Sequence, residues 1–374
     1  MRFCEAVANA GADVELVSLD VRLEFDEPTR TRSVWDVYGV EPRFRLRTLP
    51  TFLRQDSPDR AVTIQRFASY TGYSLWQAVT SRRLRSRPAT FYFRNHRTAL
   101  PLGLARRLLG GRARLVLEVH SPVDARHRRL VRRLDGIVCI SRALREDLVE
   151  RLGVDPARVL VAHTGVDLTR IDAARAPKDA LRERLGLPHG PLVVYTGKVH
   201  RDYREVHLLL ETARHLPEDV SVVIVGGRED QVAALRARVQ AEGPPNVRFT
   251  GFVAPADVQG YQLAADALVM YYPEGISFND FRSPAKLFEY LASGNPVVAA
   301  DYRSTREIVT PDIGVLVPPE RPELLATALA GLLADPARAA ALGEAGRARA
   351  AEHTWDERAR RVLEFVEGLP TRRA

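Results

Sequence analysis

Residues 283–300, SPAKLFEYLASGNPVVAA, place a serine, a proline, a lysine and a glutamate at spacings that suit a phosphorylated ligand. Lys286 and Glu289 lie three residues apart, on one face of a helix and about 4.5 Å apart along its axis. A helix start gathers free N–H groups and positive dipole, and a lysine there adds a full positive charge, a combination suited to phosphate. The carboxylate one step on suits the hydroxyls of a ribose. Ser283 is expected to cap this helix, Pro284 to take its first position and Gly294 to end it before the strand PVVAA. The competing reading is an ordinary lysine–glutamate pair on a solvated face. Composition favours the site: of 55 basic residues only Lys178, Lys198 and Lys286 are lysines. Two of the three fall at junctions leading into helices, and a compact ammonium does not exchange freely with a guanidinium at a tight phosphate site.

Such a helix needs a scaffold, and the chain supplies alternating strand and helix patterns throughout. The segments at 12–18, 89–93, 113–119, 136–141 and 158–163 read as short buried strands. After a charged, proline-punctuated stretch at 172–190, the strands resume at 191–197, 220–227, 247–252, 267–272, 296–300 and 314–319. Continuous apolar strands separated by helices imply parallel sheets covered on both faces. At 374 residues the chain suits two such α/β domains. The expected architecture is two Rossmann-like, doubly wound domains facing each other across a cleft. Their expected bounds are 1–175, joined by a C-terminal helix at 355–370, and 176–354. The junction before the 283 helix then lies at the carboxyl edge of a sheet, where ligands bind in this architecture.

The first domain opens on a helix, MRFCEAVANAG, where a Rossmann half should open on a central strand. A missing central strand orphans its neighbours' backbone groups. The natural polypeptide is therefore expected to begin roughly 15–30 residues upstream, one strand and a loop. Two cysteines among scattered histidines exclude a disulfide framework and a zinc cluster of the usual spacing, and fit a reducing cytoplasm. Residues 51–150 hold 20 arginines against 8 acidic residues. That bias suits an anionic membrane surface or an anionic acceptor. Nucleic acid is disfavoured, because no recognisable module or interleaved aromatics accompany the arginines.

The segments VVYTGKVHRDYREVHLLLETA (193–213), VVIVGG (222–227), NVRFTGFV (246–253), SPAKLFEYLASGNPVVAAD (283–301), REIV (306–309) and HTWDERARRVLEF (353–365) resemble one family in combination. LEVHSP (117–122), LDGIVCISRALREDLV (134–149) and RVLVAHTGVDL (158–168) extend the match into the first half. The sequence resembles the GT-B glycosyltransferases of family 4, retaining enzymes that use nucleotide-diphospho-sugars. The resemblance implies that Gly197 and Lys198 meet the donor diphosphate, and that Lys198 and Arg204 stabilise it as the leaving group. Gly251, Phe252 and Val253 would meet the base, and Glu289 the ribose. Arg282, Ser283, Lys286 and Leu287 would complete the donor site. His120 would stand near the transferred sugar.

One departure from the family pattern stands out. The first of two paired glutamates, eight positions before Glu289, is Phe281 here, with Asp280 beside it. The family's retaining chemistry uses the leaving phosphate to help remove the acceptor proton, so paired catalytic carboxylates, a metal and a bound cofactor are not expected. The implied partners are a nucleotide-sugar donor and a glycan, lipid-linked or other acceptor. The implied location is the cytoplasm, with peripheral contact at the inner face of the membrane. A sugar-nucleotide epimerase is the nearest rival enzyme, and would need further acid–base carboxylates. A degenerate copy that binds nucleotide without transfer is the non-enzymatic rival. A nicotinamide dehydrogenase is disfavoured, since no G-x-G-x-x-G follows a strand.

Overall fold

The computed structural model describes residues 1–19, 33–49, 60–80, 89–108, 113–197, 199, 204–276 and 278–370. Chain contacts divide it into two units. One holds Met1–Trp35, Val40–His163 and Asp356–Ala374; the other holds Asp36–Gly39 and Thr164–Trp355. Five helices matter below: α1 (Arg2–Asn9), α2 (Ala99–Leu108), α3 (Arg204–Arg214), α4 (Ala285–Ser293) and α5 (Trp355–Gly368).

In the first unit β1 (Glu15–Leu19) and β2 (Arg45–Leu49) form a parallel pair. A separate parallel sheet runs β3 (Ala89–Phe93), β4 (Ala113–Val119), β5 (Gly136–Cys139), β6 (Val159–Val161), in that spatial order. No strand joins the two sheets among the described residues. The apolar run of β4 explains its central place, since Leu115, Val116, Leu117 and Val119 are all buried. Val362 and Val366 of α5, with Leu369 just beyond it, pack on Val116, Val138 and Ala162. Gly136 packs closely under them, and a Cβ there would lie 2.6 Å from Leu369 Cδ1 and displace that side chain. Thus the last helix of the chain completes the core of the first unit.

The second unit is one six-stranded parallel sheet. Its strands are β7 (Leu192–Thr196), β8 (Ser221–Val225), β9 (Val247–Gly251), β10 (Ala267–Met270), β11 (Val297–Ala300) and β12 (Val315–Val317), in the order β12-β11-β10-β7-β8-β9. Successive residues of β7 and β8 enter different cores: Val194, Val223 and Val225 one, Val193, Tyr195, Val222 and Ile224 the other. Both faces of the sheet are covered, as period-2 side-chain alternation in a doubly wound unit requires.

Two sequence readings change here. The stretch at 172–190 folds inside the second unit, as helices Leu168–Ala173 and Lys178–Leu185. Leu181 and Arg182 of the second helix are buried, and Arg182 reaches the Ala264 carbonyl at 3.0 Å and Asp266 at 2.7 Å. The units part instead at His163/Thr164 and Trp355/Asp356. The strand β2, RLRTL, escaped sequence reading because its arginines face solvent and pair with Asp13 and Glu15.

Candidate donor site

At the carboxyl edge of the second unit's sheet, β7 ends at Thr196 and Gly197 follows. The Gly197 N–H donates to the Val225 carbonyl at 2.9 Å, which fixes the turn beside the end of β8. Gly226 and Gly227 follow β8 with φ of +114° and +96°, a region that side chains rarely adopt. Space enforces the choice as well. A Cβ on Gly226 would lie 2.1 Å from the Gly197 carbonyl oxygen, and one on Gly227 2.5 Å from Val199 Cβ. Two backbone turns therefore approach each other with no side chain between them. Replacing Gly226 by alanine is expected to destabilise the unit by about 1–3 kcal/mol from the backbone alone and to weaken nucleotide binding further; urea unfolding beside nucleotide titration checks both.

Helix α4 enters this edge from the long loop after β10. Its buried face, with Leu287, Phe288, Tyr290 and Leu291, is held in the core, and Gly294 ends it at φ +79°. No side chain caps its first turn. Pro284 stands at the cap position, and Ser283 turns away: its Oγ accepts from the Thr164 N–H at 2.9 Å, while Thr164 Oγ1 donates to the Ser283 carbonyl. The expected capping role of Ser283 is thereby corrected. Proline's extended conformation here starts the helix one residue later than the sequence suggested and leaves the serine to tie down the loop. Leu287 is likewise a packing residue, since it is buried in the apolar core.

Lys286 sits where the turns meet. Its Nζ lies 4.2 Å from the centroid of the Tyr195 ring and 5.3 Å from that of Tyr272. A Cβ on Gly197 would be 2.9 Å from that Nζ, so the glycine leaves the ammonium open to the turn. Tyr195 is buried and donates to Glu205 at 2.5 Å. Burial pulls the Lys286 ammonium down to about 8, and Arg282 adds to the fall, while Glu205 and Glu289 oppose it. No ion pair of Lys286 occurs among the described residues.

Glu289 is positioned from behind. Gln262 Nε2 donates to it at 3.1 Å, and the Gln262 carbonyl accepts from Asn295 at 2.8 Å. Tyr290 next to it accepts from the Thr196 N–H at 2.7 Å, locking α4 to the end of β7. Arg282 lies between two rings, 4.3 Å from the centroids of both Tyr272 and Phe278, with a buried Nε that has no hydrogen-bond partner among the described residues. Asp280 accepts from the Arg303 N–H at 3.0 Å, so it caps the helix Arg303–Arg306 and does not replace the acid lost at Phe281.

The remaining expected residues divide. Arg204, at the start of α3, donates to the Glu274 carbonyl at 3.1 Å and pairs with Glu320. It therefore reaches the loop that leads into α4. Gly251 ends β9 at φ +79° and accepts from the Gly226 N–H at 3.0 Å; Phe252 after it is exposed and Val253 half-buried. Lys198 lies outside the described residues. His120 belongs to the first unit, just beyond β4, where its Nε2 meets Glu118 at 2.5 Å. Sequence reading missed Tyr195, Glu205, Gln262 and the roles of Gly226 and Gly227. Only the doubled glycine after a strand carried a signal.

Comparison places this architecture. The family model described as "Glycosyltransferase Family 4" matches residues 1–170, and that described as "Glycosyl transferases group 1" matches 190–335. The two glycosyltransferase models together match most of the chain, and its two α/β units have the GT-B fold. A D-inositol 3-phosphate glycosyltransferase of Xylanimonas cellulosilytica is 34% identical over 249 residues, covering 64% of this chain and 58% of that protein. An alpha-maltose-1-phosphate synthase of Mycolicibacterium smegmatis is 29% identical and covers 64% of each. The chain spans less than two thirds of the length of the curated relatives it matches first. In fold it is similar to Anabaena HepE in complex with UDP-glucose, with a TM-score of 0.70 at 18% identity over 95% of this chain and all of that one. Sucrose-phosphate synthase from Thermosynechococcus elongatus gives a TM-score of 0.70 at 21% identity, over 98% and 92% of the two chains.

Proposed function

We propose that this protein transfers a sugar from a nucleotide-diphospho-sugar to a phosphorylated or lipid-linked glycan acceptor, with retention of anomeric configuration. The observation that carries the reading is the open ammonium of Lys286 against the side-chain-free turns at Gly197 and Gly226. A diphosphate fits that combination of fixed charge, helix N-terminus and bare backbone. Glu289, held by Gln262, is oriented to accept from ribose hydroxyls. Lys286, Lys198 and Arg204 supply the cations on which the departing diphosphate's growing charge rests, so no metal is needed for that step.

The relatives' names and the charge of the chain support a phosphorylated acceptor. Two of them act, by name, on or toward sugar or inositol phosphates. The basic 51–150 region suits such an anion. It suits an anionic membrane surface too, and Leu100, Leu104 and Leu108 stand exposed along one face of α2 beside Arg97 and Arg107. Among the described residues no single helix is long and apolar enough to cross a membrane.

Mass spectrometry of the protein incubated with a panel of nucleotide sugars tests the proposal. One donor should release nucleoside diphosphate, and chelation by EDTA should leave the rate within about twofold. Nucleotide binding with no turnover on any donor or acceptor tried would favour the non-catalytic rival, which Phe281 supports. Conversion of the sugar while it stays on the nucleotide would favour the epimerase.

A further inference from the structure

The first unit contains a buried carboxylate that the donor site does not use. Glu118, on β4, is 1% exposed. Its Oε1 meets His120 Nε2 at 2.5 Å and Arg94 Nη2 at 3.2 Å. Its Oε2 accepts from the Tyr92 hydroxyl and meets Arg358 Nη2 at 3.1 Å. Each oxygen therefore has two partners, which fills the acceptor capacity of an ionised carboxylate. Burial pushes this carboxyl up, but the hydrogen bond from His120 and the charges of Arg358 and Arg94 outweigh it and hold it well below the usual range.

The partners have unequal meanings. Arg358 is itself enclosed, and Tyr92 is half-buried on β3. Arg358 also donates to the His163 carbonyl at 2.9 Å and lies 4.3 Å over the Phe3 ring, so this half of the network ties α5, β3, β6 and α1 together. His120 is different: its side chain is 40% exposed, and only Nε2 is engaged among the described residues. His120 follows Glu118 by two residues, just beyond the end of β4, and its ring turns back onto the Glu118 side chain. An ionised carboxylate only accepts, so the ring nitrogen that meets it must carry the hydrogen.

We propose that Glu118 is the positioning residue for His120, holding the ring with Nε2–H on the carboxylate and Nδ1 presented as a free acceptor. This rests on the reading of His120 as the residue beside the transferred sugar. In that place the free Nδ1 receives a hydrogen bond from a sugar hydroxyl, whereas the opposite tautomer would turn the Nε2 lone pair onto the Glu118 carboxylate. The network thus links the core of the unit to the orientation of one surface imidazole.

Three variants of the full chain and one spectrum test this. Nitrogen-15 NMR of the parent, with His120 assigned by its loss in His120→Ala, should show the Nε2–H tautomer; an Nδ1–H ring overturns the proposal whether or not any variant folds. With the donor identified by the panel, Glu118→Gln should lower kcat at least about tenfold with little change in KM, since removing a carboxylate that orients a histidine typically costs about 10–100-fold. Tyr92→Phe removes a hydrogen bond from the same carboxylate but not from the oxygen that holds His120, so it should lower the thermal midpoint and keep kcat within about threefold. Equal loss of kcat in both variants overturns the proposal in favour of a purely structural carboxylate. Parental turnover in His120→Ala sinks the reading of His120 itself, and is distinguishable because the tautomer is read without substrate.

Discussion

Replacing Lys286 by methionine is expected to lower donor kcat/KM by about 10²–10³-fold, the loss usual when one preorganised charge is removed from a leaving group. Methionine keeps the length and apolar stem, so the packing on Tyr195 and Tyr272 survives and the lost charge is isolated. The same lysine sets an alkaline limit. With its ammonium pulled down to about 8, the parent should lose donor binding as pH rises through that value, and the variant should lack this limb. Bound diphosphate raises the value, so kcat should persist to higher pH than kcat/KM. The stability sign runs the other way. A lysine whose folded value is depressed costs stability at neutral pH, where the unfolded chain holds its proton more tightly, and that cost fades as pH rises from 8 toward the free-lysine range. A pH–rate profile and urea unfolding at pH 7 and 9 check the two halves. A flat profile from pH 7 to 9.5, or a variant within threefold of the parent, would remove Lys286 from the donor site.

How far this site was legible depends on whether its causes are local. The strands β3, β4 and β7 were plain because β-branched and apolar runs report burial directly. The rarity of lysine singled out Lys286, but its burial against Tyr195 is a tertiary fact. The misread cap shows the same divide. Ser283 before Pro284 has the local chemistry of a cap, yet its partner is Thr164, 119 residues away. The stretch at 172–190 looked like a linker because charges dominate it, and it became part of a core because Arg182 finds Asp266 just before β10. Glu118 carried no sequence signal. A lone glutamate in an apolar strand reads as an interruption until Arg358, 240 positions on, is seen beside it.

That long-range pair carries the second large effect. Arg358→Met should destabilise the first unit by about 3–5 kcal/mol, because breaking a buried ion pair on one side leaves the other charge enclosed. Arg358 and Glu118 are 5% and 1% exposed, so water cannot take over the lost contact. At roughly 2–4 °C per kcal/mol for a unit of this size, the thermal midpoint should fall by several degrees or more. Adding Glu118→Gln to Arg358→Met should restore part of the loss, since the enclosed charge then disappears too. Acid sharpens the test. Glu118 is held below its usual range in the parent, so its contribution is fully present above the free-carboxyl range and is lost as pH falls toward the folded value. In the arginine-free variant the carboxyl protonates more readily, and the gap between variant and parent should narrow below about pH 5. A gap under about 1 kcal/mol at pH 7, or one that widens in acid, would mean that the attachment of α5 does not depend on the Glu118–Arg358 pair.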